Sequence, residues 1–156
     1  MASIVQRKFD TEGTFTITLA GLGHSVAGAG RQSTLLTNSD NRPGALVSVK
    51  VTSNGAAAPT ANSVVAVYLI RDTGTLVDDN AGPSDAALTV ENSPMLGTIV
   101  FTATTAKAFV GIFSTEFLGP LGPNWGIALV NVTGQALHAT EANHACHFRY
   151  FYDEAQ

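Results

Sequence analysis

Apolar residues recur along this chain with a period of two, and nowhere do they recur at helical spacing over three turns. A period of two places successive side chains on opposite faces of an extended backbone, so the pattern describes strands that bury one face. Phe15, Ile17 and Leu19 alternate with Thr14, Thr16 and Thr18; Val47, Val49 and Val51 alternate with Ser48, Lys50 and Thr52. Residues 64–70 are apolar on both faces, which predicts a central strand covered on both sides. Residues 96–102 and 108–113 read as a pair joined by residues 103–107, and residues 125–132 as a further strand. Residues 144–152 close the series with His144, Cys146, Phe148, Tyr150 and Tyr152 on one side. Residues 33–37 and 88–90 are shorter candidates, set within or beside long loops at 21–44 and 72–86. Seven to nine short strands with turn signals between them predict an all-β, single-domain antiparallel β-sandwich, jelly-roll or immunoglobulin-like. A strict immunoglobulin domain wants two cysteines flanking a buried tryptophan, and only Cys146 is present.

Length and charge narrow the function classes. The 156 residues are enough for one domain with its own core, assigned to residues 13–156. Residues 1–12 are polar and irregular, with Ile4, Val5 and Phe9 as apolar anchors; they are expected either to add an edge strand or to reach onto a neighbouring subunit. Ile4, Val5 and Phe9 are therefore the candidate partner-contact residues. Eight Lys and Arg against twelve Asp and Glu give a formal charge of −4, with no basic cluster beyond Arg7-Lys8, so nothing draws in a phosphate backbone and no nucleic-acid partner is expected. No apolar run approaches membrane-spanning length, and no membrane partner is expected. A single cysteine and a leading segment without a signal-like apolar stretch predict folding in a cytoplasm, where the sequon at Asn131-Val-Thr133 carries no weight.

Several stretches invite a chemical reading. Residues 21–28 (GLGHSVAG) have the wrong glycine spacing for a dinucleotide loop, lack the second glycine of a nucleophile elbow, and precede no helix-forming sequence; a flexible loop is the better reading. His138, Glu141, His144, Cys146 and His147 offer metal ligands, but on an extended strand His144 and Cys146 point one way and His147 the other. Asp78 to Asp85 resembles a calcium loop only in its acidity, because Gly82, Pro83 and Thr89 fall where ligands or the turn glycine should be. Glu91 and Glu116 are the only acids near strand ends, and no acid/base pair is evident. Tyr68, Trp125 and Tyr150 would suit a sugar-binding face, or equally a sandwich core. No catalytic residue, cofactor or metal is therefore expected. Residues 118–123 (LGPLGP) are read as a stiff corner between sheets that delivers Trp125, Ile127 and Leu129 together into the core as its structural anchor.

The segment Gly122-Pro-Asn-Trp-Gly-Ile-Ala-Leu-Val-Asn-Val-Thr-Gly-Gln-Ala-Leu-His138 lies within a stretch, roughly residues 30–152, that resembles small structural proteins of tailed bacteriophages, of the kind that decorate or cement the capsid. Asn41-Arg-Pro-Gly-Ala-Leu-Val-Ser-Val-Lys-Val51 and Asp85-Ala-Ala-Leu-Thr-Val-Glu91 add to the likeness. The resemblance implies a non-enzymatic virion protein, folded in the host bacterial cytoplasm. It would bind the major capsid protein on the capsid surface, self-associate, most often as a trimer, and clamp neighbouring capsomers. Tail or baseplate accessory domains share this texture, and a carbohydrate- or receptor-binding module would share the sandwich.

Overall fold

The computed structural model describes residues 5–155 and places the doubly apolar stretch in strand β6 (Val64–Asp72), at the heart of one of two facing sheets. β6 pairs antiparallel along its whole length with β10 (Asn124–Val132). The far side of β10 is taken by β3 (Ala29–Gln32) and β4 (Leu36–Thr37), which follow one another along it, with β7 (Ala86–Thr89) beyond β3. β8 (Met95–Val100) closes the other side of β6. In the first sheet β11 (Ala145–Ala155) runs between β5 (Gly44–Thr52) and an edge made of β1 (Val5–Phe9) and β2 (Gly13–Thr14), while β9 (Ala108–Ser114) forms the opposite edge beside β5.

All pairings are antiparallel, and the two sheets enclose one core to which β5 contributes Val47, Val49 and Val51, β6 Val65, Val67 and Leu69, and β10 Trp125, Ile127 and Leu129. Each such buried side chain contributes about 1.5–3 kcal/mol. Counting β1 with β2 and β3 with β4, and setting β7 aside, the chain order reads 1-8-3-6 across one sheet and 2-7-4-5 across the other. This is the double Greek-key order of a jelly roll, which decides between the two sandwich types the sequence allowed.

The outer face of the second sheet explains why β6 is apolar on both sides. Residues 73–94, which link β6 to β8, pass over that face and place β7 on the far edge. Val77, Ala81, Leu88 and Val90 from this excursion pack with Tyr68, Ile70 and Ala128 of the sheet and with Leu35. Three ties hold it to the sheet, Arg71 N–H to Asp78 (3.0 Å), Arg31 to Asp85 (2.5 Å), and the Gln32 amide to the carbonyls of Gly82 and Ser84 (2.6 and 2.8 Å), while Asn92 N–H to Asp79 (2.6 Å) braces the excursion internally.

Three local expectations are corrected. Residues 96–102 and 108–113 are not a hairpin: β8 pairs with β6 and β9 with β5, so residues 103–107 carry the chain from one sheet to the other. Residues 15–19 keep their alternating burial but leave the ladder after β2, because here too the chain changes sheets: Phe15 N–H donates to the Cys146 carbonyl of the first sheet, and Thr34 N–H to the Thr16 carbonyl from the second. Residues 29–32 (AGRQ), read as loop, are β3, and the short strand expected at 33–37 shrinks to β4.

Candidate functional site

The His/Cys/Glu group sits at one end of the sandwich, around the turn Glu141–Asn143 that leads into β11, beside a cleft of about 280 Å³ lined by Phe15, Ile17 and Leu19. Its polar atoms are engaged by the chain itself. Glu141 accepts the N–H groups of Leu19 (2.8 Å) and Ala20 (2.6 Å), tying the sheet-crossing segment to the turn. His144 Nδ1 accepts the Thr52 N–H (3.3 Å) and its Nε2 meets the His138 carbonyl (3.0 Å), an arrangement that requires the Nε2–H tautomer. His138 Nδ1 accepts the Thr140 N–H (3.1 Å). Cys146 is buried beside them; burial and the nearby Glu141 charge push its thiol up to about 12, so it is neither thiolate nor nucleophile at neutral pH. His147 lies on the opposite face of β11 against Thr14 and Glu12. Among the described residues no three His, Cys, Asp or Glu side chains converge on a point that would hold a metal ion.

The acidic loop is equally committed. Burial works to raise the Asp79 carboxyl, but Ser93 and the backbone N–H groups of Asn92 and Ser93 more than offset it and leave it below its ordinary value. Asp85 is likewise desolvated, and its bonds from Arg31 and the Thr18 hydroxyl (2.6 Å) lower it by more. These carboxylates point at different partners and form no cage. Glu116 pairs with Arg7 at 2.8 Å, while Glu91 is exposed beyond the end of β7.

In the glycine-rich loop, Ser25 Oγ accepts the N–H groups of Ala27 and Ala29 (3.3 and 3.1 Å), and β3 follows where either enzyme motif needs a helix. Asn131 of the sequon is fully buried, with its amide donating to the Leu22 and Gln135 carbonyls at 2.8 Å. The three aromatics do not share a face. Tyr68 belongs to the outer cluster, whereas Trp125 is fully buried with Phe15, Phe148 and Tyr150 edge-on around it, ring centroids 5.2–5.7 Å away, and its Nε1–H donates to the Tyr150 hydroxyl at 2.8 Å. Ile127 and Leu129 are buried beside it, and the Gly/Pro segment runs from the end of β9 in one sheet to β10 in the other, inserting Leu121 into the core on the way. Gly119 and Gly122, with φ of 87° and 79°, supply the left-handed backbone this corner requires.

Exposed large apolar side chains lie in loops (Val26, Leu76, Phe117), on β8 of the second sheet (Met95, Val100) and on both edges of the first sheet. Ile4 lies outside the described residues; Val5 (64% exposed) and Phe9 (49%) stand on β1, with Phe9 edge-on to Phe151. On the opposite edge Val110 and Ile112 of β9 are 63% and 68% exposed. Sequence reasoning passed over these two. The available signal was a strand, AFVGIFS, without a charge or a proline at any position. No protein-family model matches the chain, and no curated protein is significantly similar to it in sequence.

Proposed function

We propose that the chain is a non-enzymatic structural protein of a phage virion that binds the outer surface of the capsid and stabilises contacts between capsomers. The observation that carries this reading is the division of labour among side chains. The titratable groups that cluster are used to fasten the fold's own turns, and the exposed large apolar groups of the first sheet lie on its two edge strands. Such a molecule offers a partner flat β surface rather than a reacting group, and exposed apolar surface on strands is what protein contacts cover. The low charge keeps close approach of other protein surfaces inexpensive.

The test is mass spectrometry of purified particles carrying this protein, counted against the major capsid protein. A copy number of the same order as the capsid protein is expected. A handful of copies per particle would assign it to the tail or baseplate instead. Glycan-array binding by the isolated protein, without retention on capsids, would replace the reading with receptor binding.

A further inference from the structure

We infer that β9 is a self-pairing edge: two copies of the chain join antiparallel through Ala108–Ser114 about a two-fold axis at Gly111, continuing the first sheet from one molecule into the next. The inference rests on backbone geometry and goes beyond the virion reading without depending on it.

The parity of the β5–β9 ladder is fixed at both ends, where Ser53 N–H donates to the Lys107 carbonyl (2.9 Å) and Thr115 N–H to the Ala45 carbonyl (3.0 Å). In an antiparallel ladder hydrogen-bonded residues alternate, so Phe109, Gly111 and Phe113 bond to β5. The N–H and C=O groups of Ala108, Val110, Ile112 and Ser114 then point away from the sheet, where no described segment of the chain pairs with them. Natural sheets protect such a row with charge, proline, a bulge or brevity. The other edges use these devices. β1 carries Arg7 and Lys8, and its register shifts by one residue before β2; β7 has four residues; β8 follows Pro94 and is bulged at Val67/Tyr68. β9 has none of them and runs in unbroken register over seven residues.

The occupant is named by the strand's own symmetry. Phe109-Val-Gly-Ile-Phe113 reads nearly the same in both directions about Gly111. Turned end for end in the plane of the sheet and laid against itself, it sets Val110 against the second copy's Ile112, Phe109 against its Phe113 and Ala108 against its Ser114. In this register the residues with free backbone groups are the hydrogen-bonded pairs, and the glycines meet at the axis as a non-hydrogen-bonded pair, where strands approach most closely. The exposed Val110 and Ile112 become cross-strand neighbours on the outer face, a favourable β-branched pairing. Each Lys107 falls at an opposite end of the ribbon, about 27 Å from its counterpart at ~3.4 Å per residue, so like charges do not oppose the contact. Two-fold pairing differs from the trimer that the phage resemblance implies.

Sedimentation equilibrium from micromolar to near-millimolar protein, with amide exchange at the same concentrations, tests this. The expected result is a monomer–dimer equilibrium in which the Val110 and Ile112 amides gain protection as the dimer fills. Ile112→Lys should weaken the dimer at least tenfold while the near-ultraviolet signal of Trp125 stays native, because the side chain it replaces is on the surface. The Val110→Cys/Ile112→Cys double variant should form a covalent dimer on mild oxidation, its facing pairs having Cα atoms about 5.5 Å apart. Val110→Cys alone should not, since the two copies of residue 110 are diagonal, about 7–8 Å apart. A monomer throughout, a trimer, a dimer indifferent to Ile112→Lys, or equal cross-linking of the single and double variants would each overturn the inference.

Discussion

The two edges of the first sheet solve the same problem in opposite ways. Along β1 the guanidinium of Arg7 lies over the Phe151 ring at 4.7 Å and reaches Glu116 and Asp153 at 2.8 and 3.1 Å, and Lys8 stands near Glu154. A third copy of a strand arriving there would have to displace or bury these charges, which is costly. Along β9 the same backbone pattern is left bare between two exposed aliphatic side chains. The difference teaches that an unprotected edge is a choice made strand by strand, since the chain had the means to close both.

The largest effect should come from breaking what both edges hang on. Trp125→Ala removes a fully buried ring and leaves the Tyr150 hydroxyl without its donor; a loss of about 3–5 kcal/mol in denaturant-measured stability is expected. Unchanged stability with loss of partner binding would make Trp125 a contact residue instead.

Asp85→Ala tests the covered side of the molecule. It leaves Arg31 unpaired, removes one of the ties between the excursion and the second sheet, and should cost about 1–3 kcal/mol. The pH dependence has a definite sign. The folded carboxyl titrates below the unfolded value of about 3.9, so its stabilisation is complete above that value and is lost as pH falls through the folded one. The stability gap between the wild-type protein and Asp85→Asn should therefore close in acid, and a gap that widened below about pH 4 would contradict the assignment.

Ile112→Lys puts on β9 the device that β1 already has, and its effect should appear in dimer affinity, at least tenfold, with little change in monomer stability. The converse experiment, Arg7→Ala with Lys8→Ala, strips β1 of its protection. Because these pairs are exposed and screened by solvent, the denaturation midpoint should barely move. The informative readout is association: new concentration-dependent assembly in this variant would confirm that charge is what separates the two edges, and none would assign the protection to the bulge before β2.

The sequence disclosed the strands that line the core: β5 and β11 fall close to where alternation places them, and β6 and β10 where continuous apolar runs do. It did not disclose β3, whose Ala-Gly-Arg-Gln has no apolar period and is extended only because β10 and β7 flank it. Nor did it separate β8 from β9, since a five-residue link suits a hairpin as well as a crossover and the inward residues alternate alike in both. The open edge was invisible for a related reason. AFVGIFS announces a strand, but whether a strand is flanked on one side or two is a property of topology, settled by residues far away in the chain.

The jelly-roll order also sets a timetable for synthesis. The last two strands of this domain to be made, β10 and β11, are interior strands: β10 lies between β3/β4 and β6, and β11 between β1/β2 and β5. Until they emerge, each nascent sheet has a gap at its centre and the early strands lack their principal neighbours, so the domain is completed late, by insertion, rather than grown outward from a finished hairpin. A chain arrested before residue 145 would leave β1, β2 and β5 without the strand that joins them in the folded domain.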